Sequence, residues 1–166
     1  TDKDQVMQHS MSRADNGAEN KLYLWQEAGD SFARFKKVEG WLEGFTFPKD
    51  WTLAVGAADI NGDMLPELYI ANDFGPDRLL LNESSPGKIR FSPVKGRKTL
   101  TSISSSVLGK DSFKGMGIDF GDVNSDGFLD IYVSNIADEF ALEESHFCFV
   151  HTGDNGLMSR GRAPYV

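Results

Sequence analysis

DVNSDGFLDIYVSN, Asp122 to Asn135, sets oxygen-bearing side chains at alternate positions around a glycine and runs directly into a β-branched, aromatic stretch. Asp122, Asn124 and Asp126 stand at positions 1, 3 and 5, Gly127 at position 6, Phe128 at position 7 and Asp130 at position 9. A tight turn with this spacing gathers its short side chains on one concave side, as a hard cation taking about six to eight oxygens requires. Phe128 would add its backbone carbonyl, and glycine at position 6 permits the dihedrals of a sharp bend. The same residue types also build plain polar turns whose side chains bond only the backbone. The quoted letters alone leave both readings open.

A near-copy weighs between them. With a shift of 63 residues, Asp59, Asn61, Asp63, Glu67, Leu68, Tyr69, Ile70 and Asn72 fall on Asp122, Asn124, Asp126, Asp130, Ile131, Tyr132, Val133 and Asn135. Leu65 takes the place of Phe128 as the backbone-carbonyl position. A repeat that spans loop and strand alike marks a repetitive architecture. In the upstream copy Met64 replaces the glycine at position 6, where a bulky side chain resists positive φ; Gly62 at position 4 is the residue expected to share the bend. Pro66 stiffens the approach to Glu67, one methylene longer than Asp130.

Clustered carboxylates repel one another unless a cation sits among them. The formal charge is -8 from 25 acidic and 17 basic residues, and the two loops hold six of those acids, so without them the chain would stand at -2. The acidity is local to the loops, and calcium is the cofactor it points to. The acidic balance, with no basic stripe, argues against nonspecific nucleic-acid binding. One cysteine, Cys148, excludes an intrachain disulfide. No apolar run approaches the roughly 20 residues of a membrane-spanning helix.

LYIAN and IYVSN are short, β-branched and aromatic, bounded by Asp, Asn and Gly, and so predict strands. An EF-hand would need flanking helices and a Glu at position 12, but Ile70 and Val133 occupy that position. A looser element recurs as NKLYLWQEAGDSFARF from Asn20, DRLLLNESSPGKIRFSP from Asp77 and SHFCFVHTGDNG from Ser145, each a strand followed by a glycine-containing turn. The connectors Lys36 to Asp50 and Lys95 to Ser112 are polar and read as surface crossings, a short helix in either staying open. The chain thus divides at residues 1–50, 51–112 and 113–166 into a partial unit and two units that each carry an Asp-rich loop.

These residues resemble FG-GAP, or VCBS, repeats, the blades of integrin alpha-chain-type β-propellers. The family loop, D-x-[DN]-x-[DN]-G-x-x-D followed by an apolar strand, is met in full by Asp122, Asn124, Asp126, Gly127 and Asp130. Asp59, Asn61, Asp63 and Glu67 meet it apart from Met64 and the Asp-to-Glu change. YIANDFGPDRLLLN is similar to bacterial secreted VCBS-type proteins and cartilage acidic protein relatives, and the resemblance covers Lys21 to Gly153. It implies an all-β partial β-propeller of four-stranded antiparallel blades, with calcium held between the first and second strands of each blade. Two and a half units are too few to close a ring of about four to eight blades. Other propeller blades or protein subunits are therefore the expected partners, together with a protein or glycan ligand, as in cell adhesion.

The expected function is a non-catalytic binding or assembly module, secreted, extracellular or periplasmic, where calcium at about 10⁻⁴ to 10⁻³ M affinity fills its sites. The alternative is a propeller domain of a secreted enzyme whose catalytic residues lie outside this chain, since no nucleophile elbow or phosphate-binding glycine motif is present. Cys148, between two phenylalanines, reads as a buried structural thiol rather than a metal ligand with His146 and His151. Tyr69 and Tyr132 read as core residues, Arg160 and Arg162 as a solvated end, and Asn82-Glu83-Ser84 as a sequon effective only in a host that reads it.

Overall fold

The computed structural model describes residues 16–27, 32–42, 44, 46, 49–98, 106–111, 114–136 and 145–166. Their architecture is all-β with antiparallel sheets. Strands β1 (Tyr23–Gln26) and β2 (Arg34–Lys37) form a two-stranded sheet. Strands β3 (Thr52–Ala58), β4 (Glu67–Asn72), β5 (Arg78–Asn82) and β6 (Phe91–Val94) form a four-stranded meander in that order. Strands β7 (Gly115–Gly121), β8 (Asp130–Asn135) and β9 (Phe147–Phe149) form a three-stranded sheet. Among the described residues no helix is long and apolar enough to cross a membrane.

The sheets stack because side chains of a strand alternate between its two faces. Tyr69, Ala71, Leu79, Leu81 and Val94 leave one face of the meander to meet Ile131, Val133, Phe147 and Phe149 of the third sheet. Ile70, Leu80 and Phe91 leave the other face to meet Trp41, Leu22 and Val38 from the first unit. With both faces covered, β4 and β5 are apolar nearly throughout, which is why their sequences show no polar alternation. Strand β3 is made of small residues because it lies flat on β7. A Cβ at Gly56 would stand 2.8 Å from Phe120 Cε2 and 3.0 Å from Ile118 Cγ2.

Four expectations need correction. The connectors are not merely surface crossings: Trp41, Asp50, Val107, Leu108 and Asp111 are buried, because they fill the flanks and ends of the sheets. Residues 99–105 of the second connector lie outside the described residues. The C-terminal stretch is not a loose solvated end, although Arg162 is exposed. Lys95 N–H donates to Gly161 O at 3.2 Å and Ala163 N–H to Lys95 O at 2.9 Å, while Val150 and Val166 exchange two bonds of 3.0 Å. This ties the end of β6 to the outer edge of the third sheet and buries Ala163 and Tyr165. Cys148 is exposed rather than buried, since alternation in β9 turns Phe147 and Phe149 inward and the thiol outward. Tyr69 is fully buried but Tyr132 is 43% exposed, because none of the described residues stacks as a sheet on the outer face of the third sheet.

Candidate functional site: two Asp-rich loops

The two loops join first to second strand in their sheets, β3 to β4 and β7 to β8, with strands on both sides. Their backbones agree where their sequences do not. Position 4 is left-handed in both, as Gly62 (φ 80) and Ser125 (φ 60), and so is position 6, as Met64 (φ 70) and Gly127 (φ 88). Each loop therefore places one glycine and one non-glycine in a region that favours glycine. The bulk at Met64 is accepted rather than avoided: its side chain is 88% exposed and meets no obstruction.

The side chains repeat the same bonds. Asp59 accepts from the N–H groups of Gly62 (2.8 Å), Asp63 (3.1 Å) and Met64 (2.9 Å). Asp122 accepts from Asp126 (3.0 Å) and Gly127 (2.8 Å). Asn61 and Asn124 each accept from the N–H at position 5, and Asp63 and Asp126 from the N–H of Leu65 and Phe128. The two asparagines donate to the second oxygen of Asp63 (3.1 Å) and Asp126 (2.9 Å). The Phe128 N–H, followed by the Asn124 amide, holds the Asp126 carboxyl below the usual carboxylate range.

The acids at position 9 stand apart from the exposed mouth. Glu67 and Asp130 are buried at the loop floor. Glu67 accepts from Ile60 N–H at 3.0 Å and Asn82 N–H at 3.3 Å. Asp130 accepts from Val123 N–H at 2.9 Å and His151 N–H at 2.8 Å. Burial pushes the Glu67 carboxyl up to about 7, against the opposing pull of its two amide donors. Positions 1, 3 and 5 thus converge over the loop backbone, while position 9 closes it from beneath.

As a donor set, the loops offer only hard oxygens: carboxylates, amide oxygens and the carbonyls of Leu65 and Phe128, which suit calcium rather than zinc or copper. Asp59 Oδ1 already takes two N–H groups, whereas Asp59 Oδ2 and the two Asp122 oxygens take one each and keep a second lone pair. Among the described residues, however, no three or more His, Cys, Asp or Glu side chains converge into a group able to hold a metal ion. Loop donor chemistry fits the ion, whereas the buried acid is committed to backbone amides.

The two loops are neighbours. Asn155, in a 3-10 helix over Asn155–Arg160, donates to Asn61 O of the first loop at 3.1 Å. His151 stacks on Phe128 of the second loop with centroids 4.7 Å apart, and Tyr165 donates to Leu129 O at 3.1 Å. His151 is pushed below the usual imidazole value by burial.

A second repeated device escaped the sequence reading. At the end of β4, Asn72 N–H donates to Asp77 Oδ1 (2.8 Å) and its amide to Pro76 O (2.7 Å). At the end of β8, Asn135 N–H donates to His146 Nδ1 (3.0 Å) and its amide to Ser145 O (2.7 Å). His146 therefore stands where Asp77 stands. Matched asparagines were the available signal, but their partners lie five and eleven residues downstream, so a constant shift hides them. Asp77 also accepts from Tyr69 Oη–H at 2.8 Å, and its own N–H donates to Asp111 at 3.0 Å. Burial, then the charge of Asp111, pushes Asp77 up to about 8. Burial likewise pushes Asp111 up to about 6.

Residues 59–133 match the family model described as FG-GAP-like repeat. The match opens on Asp59, position 1 of the first loop, and closes on Val133 within β8. No curated protein and no solved structure matches the chain. Both Asp-rich loops, with the strands β4 to β7 between them, thus lie inside a span that carries an FG-GAP-like repeat.

Proposed function

We propose that this chain is a calcium-binding, non-catalytic binding or assembly module, a segment of a larger β-propeller acting in a secreted, extracellular or periplasmic setting. The four-stranded meander corresponds to one blade. The β7–β9 sheet, bordered by residues 164–166, corresponds to a second, and β1–β2 to the outer half of a third. A further blade or protein subunit, or a protein or glycan ligand, would meet the surfaces these blades present.

The observation that supports calcium is the agreement of the two loops. Glycine sits at position 4 in one and position 6 in the other, yet both keep two left-handed residues. A left-handed non-glycine costs about 1–2 kcal/mol, a cost a simple turn could escape by using glycine twice. Retaining it keeps six oxygen-bearing side chains, Asp59, Asn61, Asp63, Asp122, Asn124 and Asp126, in one arrangement at exposed mouths. Leu65 and Phe128 would add their carbonyls, and Glu67 and Asp130, whose oxygens accept from backbone amides, would each share or give up one such bond to reach the ion from below. A bound ion would neutralise each loop and clamp its first strand to its second.

Thermal melting in chelator and in millimolar calcium tests this. A site filled at 100 times its Kd adds about 2.7 kcal/mol, which is roughly 5–10 °C in Tm for a chain of this size. Asp126→Asn keeps an acceptor for the Phe128 N–H but removes a charge, and should abolish the share of the rise belonging to the second loop. An identical Tm in both conditions, with no heat of binding by titration calorimetry, would refute the calcium reading.

A further inference from the structure

Away from the Asp-rich loops the charge of the chain reverses. From Glu83 to Asp119, both included, seven basic residues stand against three acids, in a chain that carries -8 overall. Two of those acids are engaged: Glu83 pairs with Arg90 at 3.2 Å, and Asp111 is 1% exposed and accepts from the N–H groups of Asp77 and Gly109. Lys95, Arg97 and Lys98 leave the end of β6 and meet Gly161 and Arg162, and together with Gly96 they line a cleft of about 540 Å³. No acid is among these lining residues. The cations come from segments far apart in the chain, so no basic stripe marks the cleft in the sequence.

Backbone bonds hold this arrangement. Lys95 and Arg162 are partners in a parallel bridge, with Lys95 N–H donating to Gly161 O at 3.2 Å and Ala163 N–H to Lys95 O at 2.9 Å. Gly96 N–H donates to Leu108 O at 2.9 Å, which ties the same strand end to the second connector. Gly161, left-handed at φ 68, ends the 3-10 helix and turns Arg162 back onto β6. Like charges set side by side in register repel, a placement that costs stability unless an anion lies between them. Lys95, Arg97 and Arg162 all stay exposed to solvent, and a cleft lined by one sign of charge concentrates the field of that sign. The acid nearest to Arg162 in sequence, Asp154, caps the opposite end of the 3-10 helix, where it accepts from Gly156 N–H at 3.1 Å. That helix also sets the cleft apart from the first Asp-rich loop, which Asn155 touches.

We propose that this cleft binds the sulfate groups of an acidic polysaccharide. The proposal builds on the binding-module reading above and gives the ligand of that module a chemical class. The guanidinium forks of Arg97 and Arg162 suit an oxyanion held by two oxygens at a time, and Lys95 adds an adjoining point charge. Nucleic acid shares the anionic chemistry, but the lining residues include no aromatic ring on which a base could stack. A sulfated sugar needs only the cations.

Fluorescence anisotropy with a labelled heparin hexasaccharide, in chelator and about 0.15 M salt, tests this. The unmodified chain should bind the hexasaccharide and not its desulfated form. Arg97→Gln combined with Arg162→Gln should weaken binding about tenfold and lower the salt slope by about 1 for each contact removed. Lys21→Gln combined with Lys88→Gln removes the same charge from exposed positions outside the cleft, and should change binding by less than about twofold, because distant surface charges are screened. Circular dichroism confirms that both double variants are folded. No binding by the unmodified chain, equal binding of the desulfated sugar, equal weakening by the two double variants, or tighter binding of single-stranded DNA of the same charge overturns the proposal. Binding that appears only when calcium replaces chelator would move the sugar to the Asp-rich loops, sinking the cleft but not the calcium reading. Sulfate-dependent binding beside a Tm indifferent to calcium would do the reverse.

Discussion

Met64 and Gly127 occupy the same turn position with the same sign of φ, one with a side chain and one without. The left-handed conformation brings Cβ near the following carbonyl, so the two residues should respond oppositely to exchange. Met64→Gly should raise stability by about 1 kcal/mol, because strain is relieved and an exposed side chain leaves no cavity. Gly127→Ala should lower it by about 1–2 kcal/mol. Urea unfolding in chelator measures both, and a Met64→Gly variant less stable than the parent would contradict the shared geometry. In Asp-rich loops, ligand-type residues and their spacing are legible from letters. The willingness of Met64 to turn left-handed is not, because it depends on the bonds that Asp59 makes to the amides around it.

Strand ends hold a different chemistry. Asp77 joins the end of β4, the start of β5 and, through Asp111, the connector that leads to β7. Its folded-state value is raised above the ordinary 3.8, so the folded protein binds more protons than the unfolded chain between the two values. Asp111, beside it, is raised as well, so the contribution of the pair is present in full below the ordinary carboxylate value and is lost as pH rises through the raised folded-state values of the two acids. Asp77→Asn should therefore flatten the fall in stability across this window while keeping an acceptor for Asn72 N–H. Nδ1 of His146 already accepts the equivalent bond at the end of β8. Urea midpoints at several pH values check this, and an unchanged slope would mean that Asp77 is not the titrating group. Tyr69→Phe should cost about 1–3 kcal/mol by leaving a buried Asp77 carboxyl oxygen without its hydroxyl partner.

Stacking of the sheets gives equivalent strand positions unequal weight. Leu79 and Cys148 are matched by the repeat, yet one is sealed between sheets and the other faces outward. Leu79→Ala should cost about 2–5 kcal/mol from lost burial and the cavity left behind. Cys148→Ala should change stability by less than about 0.5 kcal/mol in dilute solution, as exposed substitutions do. Equal losses at the two positions would show that the third sheet is covered after all. The same stacking brings the two loops side by side, bridged by Asn155 and by the His151–Phe128 stack. Nothing in their 63-residue separation announces that contact.

Local chemistry made the strands, the turns between them and the oxygen ladders of Asp59 to Glu67 and Asp122 to Asp130 readable in the amino-acid order, because propensity and side-chain spacing act over a few neighbouring residues. Burial was different. Whether Tyr69 or Tyr132 is covered, whether Cys148 is hidden, and whether the connectors and the C-terminal stretch join the core depend on which sheet lies against which. Hydrophobic contact is nondirectional and acts between segments far apart in the chain, so the order of residues within one segment does not say which other segment will cover it.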